Sequence, residues 1–189
     1  MNSVVVNGIL SGLKEGNKAF VNGQAVNFEK IHKQRMETAV KGQNPEVVVI
    51  ACSDSRVPPE LIFSAGIGEM FVIRTAGNLV GQLEMESISY AVDHLGAPVV
   101  MILGHSYCGA VKAAKDGSAP YYLKATAETI KAAIGDESDQ KNCELKNIDV
   151  GVKKLLKNEL IKDKVASAEL AVIGAYYCCL LYTSPSPRD

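Results

Sequence analysis

Apolar residues fall along this chain in two rhythms. Two runs are unbroken: Val-Val-Val-Ile at 47–50 and Pro-Val-Val-Met-Ile-Leu-Gly at 98–104. An apolar run with no polar break marks a strand covered on both faces, as in a parallel sheet. It predicts strands over 46–51 and 99–103, and two further apolar stretches predict strands over 70–74 and 169–176. Elsewhere the apolar positions recur at helical spacing. The clearest stripe is Met85, Ile88, Ala91, Val92 and Leu95, which predicts a helix over 83–95 stopped by Gly96 and Pro98. Shorter patterns predict a helix or turn over 59–63, and helices over 108–115, 126–134 and 148–160, with a polar loop over 135–142. Strands alternating with helices predict an α/β fold, a mostly parallel β-sheet flanked by helices with right-handed crossovers.

Ahead of the first strand lies a helical arm, residues 1–42. Val6, Ile9, Leu10, Leu13 and Phe20 give 4–21 a rough helical spacing, which Gly8, Gly12 and Gly16 weaken. A second helix is predicted over 28–41, with Asn27 as its N-cap. Neither stripe buries much by itself.

The chemistry sits where two predicted strands end. After 47–50 come Cys52, Asp54 and Arg56 at alternate positions, which share a face in extended chain. Pro58 and Pro59 stop the strand. After 98–104 come His105 and Cys108, spaced to reach one metal ion from a single turn. With Cys52 they make a Cys-His-Cys set that suits Zn²⁺. Three protein ligands leave a fourth position for water or for Asp54, and an open fourth position marks a catalytic zinc. The carboxyl ends of parallel strands are where open α/β sheets keep their ligands.

Cys52-x-Asp54-x-Arg56 followed by His105-x-x-Cys108 resembles the β-class carbonic anhydrases. The resemblance runs outward through Lys41-Gly42-Gln43, through Phe71 to Asn78, and through Gly104 to Ala110. It implies one Zn²⁺ per subunit, ligated by Cys52, His105 and Cys108, and reversible hydration of CO2 to bicarbonate and a proton by zinc-bound hydroxide. It implies that Asp54, held by Arg56, orients the zinc-bound water or itself takes the fourth zinc position. By motif position it places Phe71, Ala76 and Tyr90 on an apolar substrate wall, with Gln43 as a donor to the substrate. For Phe71 and Tyr90 ordinary core packing stands beside that reading. The backbone N–H of Gly109, at a helix start, is a further anion contact. The partners implied are CO2 and bicarbonate and a second copy of the chain, as a homodimer or larger homo-oligomer with the N-terminal helices packed across subunits.

Bulk properties agree with an ordinary soluble globular protein. The chain has 189 residues, 47% hydrophobic and 22% charged, with a formal net charge of −1. That balance gives no reason to expect a nucleic acid or an anionic membrane as partner. No apolar run reaches the ~20 residues of a membrane span. The N-terminus lacks the basic start and apolar core of a secretory signal, so a cytoplasmic location is expected. Five cysteines, an odd number, argue against a disulfide framework. Cys143, assigned to the polar loop, and Cys178 and Cys179 are read as inert.

Rival readings are a carbonyl sulfide or carbon disulfide hydrolase on the same scaffold, a non-catalytic zinc protein, and a thiol redox protein. Asp54, Arg56 and Gln43 argue against a purely structural zinc. The lack of Cys-x-x-Cys argues against redox chemistry. Residues 1–178 are expected to form one domain. Residues 179–189 are atypical of the family: either a native disordered tail or, the favoured reading, foreign sequence after a truncated reading frame.

Overall fold

The computed structural model describes residues 3–24 and 27–179. The expectation for residues 180–189 therefore lies outside the described residues. Among those described, four parallel strands form one sheet: β1 (Val47–Cys52), β2 (Met70–Thr75), β3 (Val99–His105) and β4 (Ala171–Tyr177), in the order β2-β1-β3-β4. Each agrees with a predicted strand to within two residues.

Every residue of β1 and β3 is buried. That is why these two strands read as unbroken apolar runs. Helices cover both faces. On one face Val47, Val49, Ala51, Val99, Met101 and Leu103 meet Leu13 of α1 (Ser3–Val21) and Ile62 of α3 (Pro59–Ile62). Val111 of α5 (Gly109–Asp116) and Ile130 and Ile134 of α6 (Lys124–Ile134) complete that layer. On the other face Val48, Ile50, Val100 and Ile102 meet Ile88 and Val92 of α4 (Gln82–Asp93), Ile148 and Leu155 of α7 (Gln140–Leu155) and Ile161 of α8 (Glu159–Ala166).

Two expectations about the C-terminal half are corrected. The loop over 135–142 is shorter than expected, because α7 begins at Gln140 and Cys143 is fully buried on it. The helix expected over 148–160 is two helices, broken at residues 156–158. Side-chain caps draw these boundaries: Asp139 accepts from Asn142 N–H at 2.8 Å, and Asn158 accepts from Ile161 N–H at 3.2 Å. The apolar stripe of α7 is hidden in the sequence because two of its buried positions are Glu144 and Asn147. A 3₁₀ turn, Tyr121–Leu123, precedes α6 and was not expected.

α7 lies close against the sheet. A Cβ on Gly104 of β3 would come within 2.5 Å of Ile148 Cδ1. This close approach puts polar residues of α7 beside the strand ends. The arm is attached more lightly. α2 (Phe28–Lys41) has no buried residue, and Lys30 and Gln34 tie it to Glu69 at 2.7 and 2.6 Å. Phe28, Met36 and Val40 stay exposed.

The strand order fixes where the chemistry sits. β2 lies on one side of β1 and β3 on the other, so the winding reverses between β1 and β3. Such a switch point opens a crevice at the carboxyl ends of the strands. Cys52 is the last residue of β1, and His105 is the last of β3.

Candidate metal centre

Cys52, His105 and Cys108 are buried, and their ligand atoms lie within 4.8 Å of one another. Cys52 and His105 come from the two strand ends. Cys108 follows at the N-cap of α5, after Tyr107 turns the chain with φ +59°. The two Sγ atoms are 4.0 Å apart. Tetrahedral coordination at ~2.3 Å per Zn–S bond puts two thiolates ~3.8 Å apart, so the pair fits that ion.

His105 supports the same reading. Its Nδ1 is 2.9 Å from the Ser106 carbonyl, which makes Nδ1–H the donor there. Nε2 is buried and has no hydrogen-bond partner among the described residues. A buried ring nitrogen with a free lone pair beside two thiols is a ligand set for a soft or borderline cation. The two thiols share one hydrogen bond, which favours a thiolate on one beside a thiol on the other: it draws Cys52 down, against the effect of burial, and pushes Cys108 up. A cation held by both sulfurs would favour loss of both protons.

Asp54 and Arg56 form a second unit beside the cluster. Arg56 donates from Nε to Asp54 Oδ1 at 3.0 Å and from Nη2 to Oδ2 at 2.7 Å, and its backbone N–H also meets Oδ1 at 2.9 Å. These bonds hold the Asp54 carboxyl well below the usual carboxylate range. Arg56 Nη2 also reaches the Tyr107 carbonyl at 3.1 Å, which joins the β1 loop to the β3 loop.

Four further residues carry the surroundings of the site. Arg74 donates to the carbonyls of Cys52 at 3.0 Å and Asp54 at 2.6 Å. Glu144 Oε1 accepts the Cys108 backbone N–H at 3.0 Å, while Oε2 accepts the Tyr176 hydroxyl at 2.8 Å. Asn147 donates to the Gly77 carbonyl at 2.9 Å, and Gly77 N–H reaches Cys52 Sγ at 3.4 Å. Cys179 donates its N–H to Ser106 Oγ at 2.9 Å and sets its Sγ 4.0 Å from His105 Nδ1. Cys179 was expected to open the atypical tail as an inert thiol, yet it lies against a site residue.

The carbonic anhydrase family model matches residues 47–180. Carbonic anhydrase 2 of Mycobacterium tuberculosis is 35% identical over 180 residues, covering 87% of this chain and 84% of that protein. The chain belongs to the β-class carbonic anhydrases. Solved β-class carbonic anhydrases share its fold. One described as tetrameric, from Sordaria macrospora, has a TM-score of 0.73 at 26% identity, over 90% of this chain and 94% of that one. The Coccomyxa β-carbonic anhydrase in complex with acetazolamide has a TM-score of 0.72 at 26% identity, over 94% and 85%.

Against this carbonic anhydrase fold, the residues expected to line the pocket separate into two groups. Ala76 stands next to Gly77 in the turn after β2, and Gly109 opens α5 after Cys108, so both adjoin the cluster. Phe71, Tyr90 and Gln43 do not. Phe71 pairs with Val48, four residues before Cys52, or ~13 Å along the strand. It packs in the α4 layer with its ring 6.4 Å from Tyr90, whose other neighbour is His94 at 5.0 Å. Gln43 is exposed before β1. Within one chain these three do not reach the cluster.

Sequence reasoning missed Arg74, Glu144, Asn147 and Cys179 as site residues. Arg74 left a signal, since it is the one charge in an otherwise apolar strand. Glu144 and Asn147 left none, because polar residues on a helix read as solvated until the helix is seen packed.

Proposed function

We propose that the protein hydrates CO2 reversibly to bicarbonate and a proton at one Zn²⁺ per subunit, held by Cys52, His105 and Cys108. The observation that carries the reading is the buried, unpartnered His105 Nε2 beside two thiols 4.0 Å apart. Zn²⁺, when bound, supplies a Lewis acid that makes water nucleophilic near neutral pH.

The chain's own groups supply the rest. Asp54 stays ionised across the working range because Arg56 donates to both its oxygens. Oδ2 takes only one of the Arg56 bonds, so it keeps a lone pair to accept a hydrogen bond from, and so orient, a reacting water. The same two-point hold supports Asp54 beside the metal rather than on it. Arg56, fixed at Tyr107 as well, keeps that acceptor in place. Ala76 offers an apolar surface for CO2. The Gly109 backbone N–H, exposed at the start of α5, serves in this reading as a donor to bicarbonate.

Gln43, Phe71 and Tyr90 enter this reading from a second copy of the chain. The open apolar surface of α2, at Phe28, Met36 and Val40, and the tetrameric state of the Sordaria macrospora relatives favour a homo-oligomer in which one subunit completes the pocket of the next.

Stopped-flow CO2 hydration on zinc-loaded protein tests the reading, with Cys108→Ala as control. Activity that tracks zinc content and vanishes in the control is expected. Full zinc occupancy with no CO2 hydration would overturn it.

A further inference from the structure

We infer that Asn147 is a positioning residue of the metal centre, acting on the thiolate of Cys52 through the Gly77 peptide. The inference rests on the reading of Cys52, His105 and Cys108 as metal ligands.

The turn after β2 supplies the contact. Asn78 N–H bonds back to the Thr75 carbonyl at 3.1 Å, closing a β-turn over residues 75–78. Gly77 is the third residue of that turn and has φ +73°. A positive φ there is what a type II turn requires. It matters because type I and type II turns differ by a flip of the central peptide. In this turn the central peptide joins Ala76 to Gly77, and its N–H points at Cys52 Sγ from 3.4 Å. Flipping it would aim a carbonyl oxygen at a thiolate instead.

Two features hold the peptide as it is. Gly77 meets that φ without strain, whereas another residue would be strained by it and would bring a Cβ within 2.8 Å of Ile130 Cδ1. The second is Asn147. Its Nδ2 donates to the Gly77 carbonyl at 2.9 Å from 70 residues away in sequence. Asn147 is 3% exposed and sits on α7, which the close contact of Ile148 with Gly104 fixes against the sheet. That bond anchors the Gly77–Asn78 peptide, and with it the Cα from which the Gly77 N–H reaches Cys52 Sγ.

The consequence is electronic as well as geometric. An N–H donated to a thiolate stabilises its charged form and moderates its donation to a metal. Cys52 receives two such donors, from Gly77 at 3.4 Å and from Asp54 at 3.5 Å. Asp54 is held by Arg56 from its own loop and by Arg74 from β2. The Gly77 donor depends on Asn147.

Cadmium-113 NMR of the full chain reads this contact directly, because the metal couples through a thiolate to an amide proton hydrogen-bonded to it. Wild-type protein loaded with ¹¹³Cd²⁺ is expected to show a correlation between the metal and the Gly77 amide proton. In Asn147→Ala the correlation weakens or disappears, and transfer of the metal to a chelator is faster by about tenfold. Asn147→Asp, equal in size and lacking the NH₂ donor, repeats the test if the alanine variant fails to fold. Leu155→Ala, which opens a hole at the far end of the same helix, keeps the wild-type correlation and transfer rate. Cadmium bound one to one without a Gly77 correlation would overturn the inference, as would an Asn147 variant indistinguishable from wild type. A wild-type chain that takes up no cadmium would instead overturn the metal centre itself, and this inference with it.

Discussion

Arg56 grips Asp54 at both oxygens, from Nε at 3.0 Å and Nη2 at 2.7 Å, and uses the same Nη2 to reach the Tyr107 carbonyl. The pair is therefore tied to both loops that carry metal-ligand residues. Lysine offers one point charge and cannot reproduce that fork. Arg56→Lys is expected to bind zinc as well as wild type and to lose about tenfold or more in kcat/KM for CO2 hydration. Zinc content by elemental analysis beside stopped-flow rates checks both halves.

The hold on Asp54 also sets a pH dependence. Its folded pKa lies below the ordinary ~3.9, so the stabilisation it contributes is complete above about pH 4 and is lost as pH falls through the lower, folded value. The stability difference between wild type and Asp54→Asn should stay constant from about pH 8 to pH 5. It should narrow only in strong acid. Denaturant melts across that range would show it, and a difference that faded near pH 6 would contradict it.

Glu144 is 3% exposed and serves three donors at once, the Cys108 N–H, the Gln140 side-chain amide and the Tyr176 hydroxyl. Removing it strands the buried Cys108 N–H and leaves the other two without this acceptor. Glu144→Ala is expected to cost about 2–4 kcal/mol of stability, against a smaller loss in Glu144→Gln, which keeps an acceptor of the same size. Urea unfolding of the two variants distinguishes them.

Ile148 closes the contact between α7 and Gly104. Ile148→Ala should destabilise by ~2–4 kcal/mol, in the range of large-to-small core changes. Because α7 carries Glu144 and Asn147, the variant is also expected to hold zinc less tightly, by a chelator-competition assay.

Zinc binding should stabilise the fold by mass action. At a free metal concentration ~1,000-fold above Kd the gain is ~4 kcal/mol, or roughly 10 °C in Tm for a chain of this size. Calorimetry with zinc and with excess chelator measures it. Equal Tm values in the two conditions would mean that the cluster does not hold the ion.

Much of this protein was legible in its residue order. The runs at 47–50 and 98–104 announced buried parallel strands, because a strand covered on both faces has no polar position to show. Cys52, His105 and Cys108 were legible for a related reason: each stands within three residues of a strand end, so the local sequence already places it at the mouth of the sheet. Asp54 and Arg56 are two residues apart, and their pairing needs only a short turn.

What the sequence left open, apart from the motif that joins Cys52 to His105 and Cys108, was the relation between distant segments. Strand order decided that the ends of β1 and β3 are neighbours at the switch point, and no local pattern encodes order. Packing decided that Glu144 and Asn147 are buried beside the cluster rather than solvated, since a polar residue on a helix has the same local signature in both places. It also decided that Phe71 and Tyr90, adjacent by motif to the site, stand in a different layer of the same chain. Local periodicity reports how much of a segment is covered. What covers it, and which backbone group a buried amide or carboxylate will meet, depends on the rest of the chain closing around it.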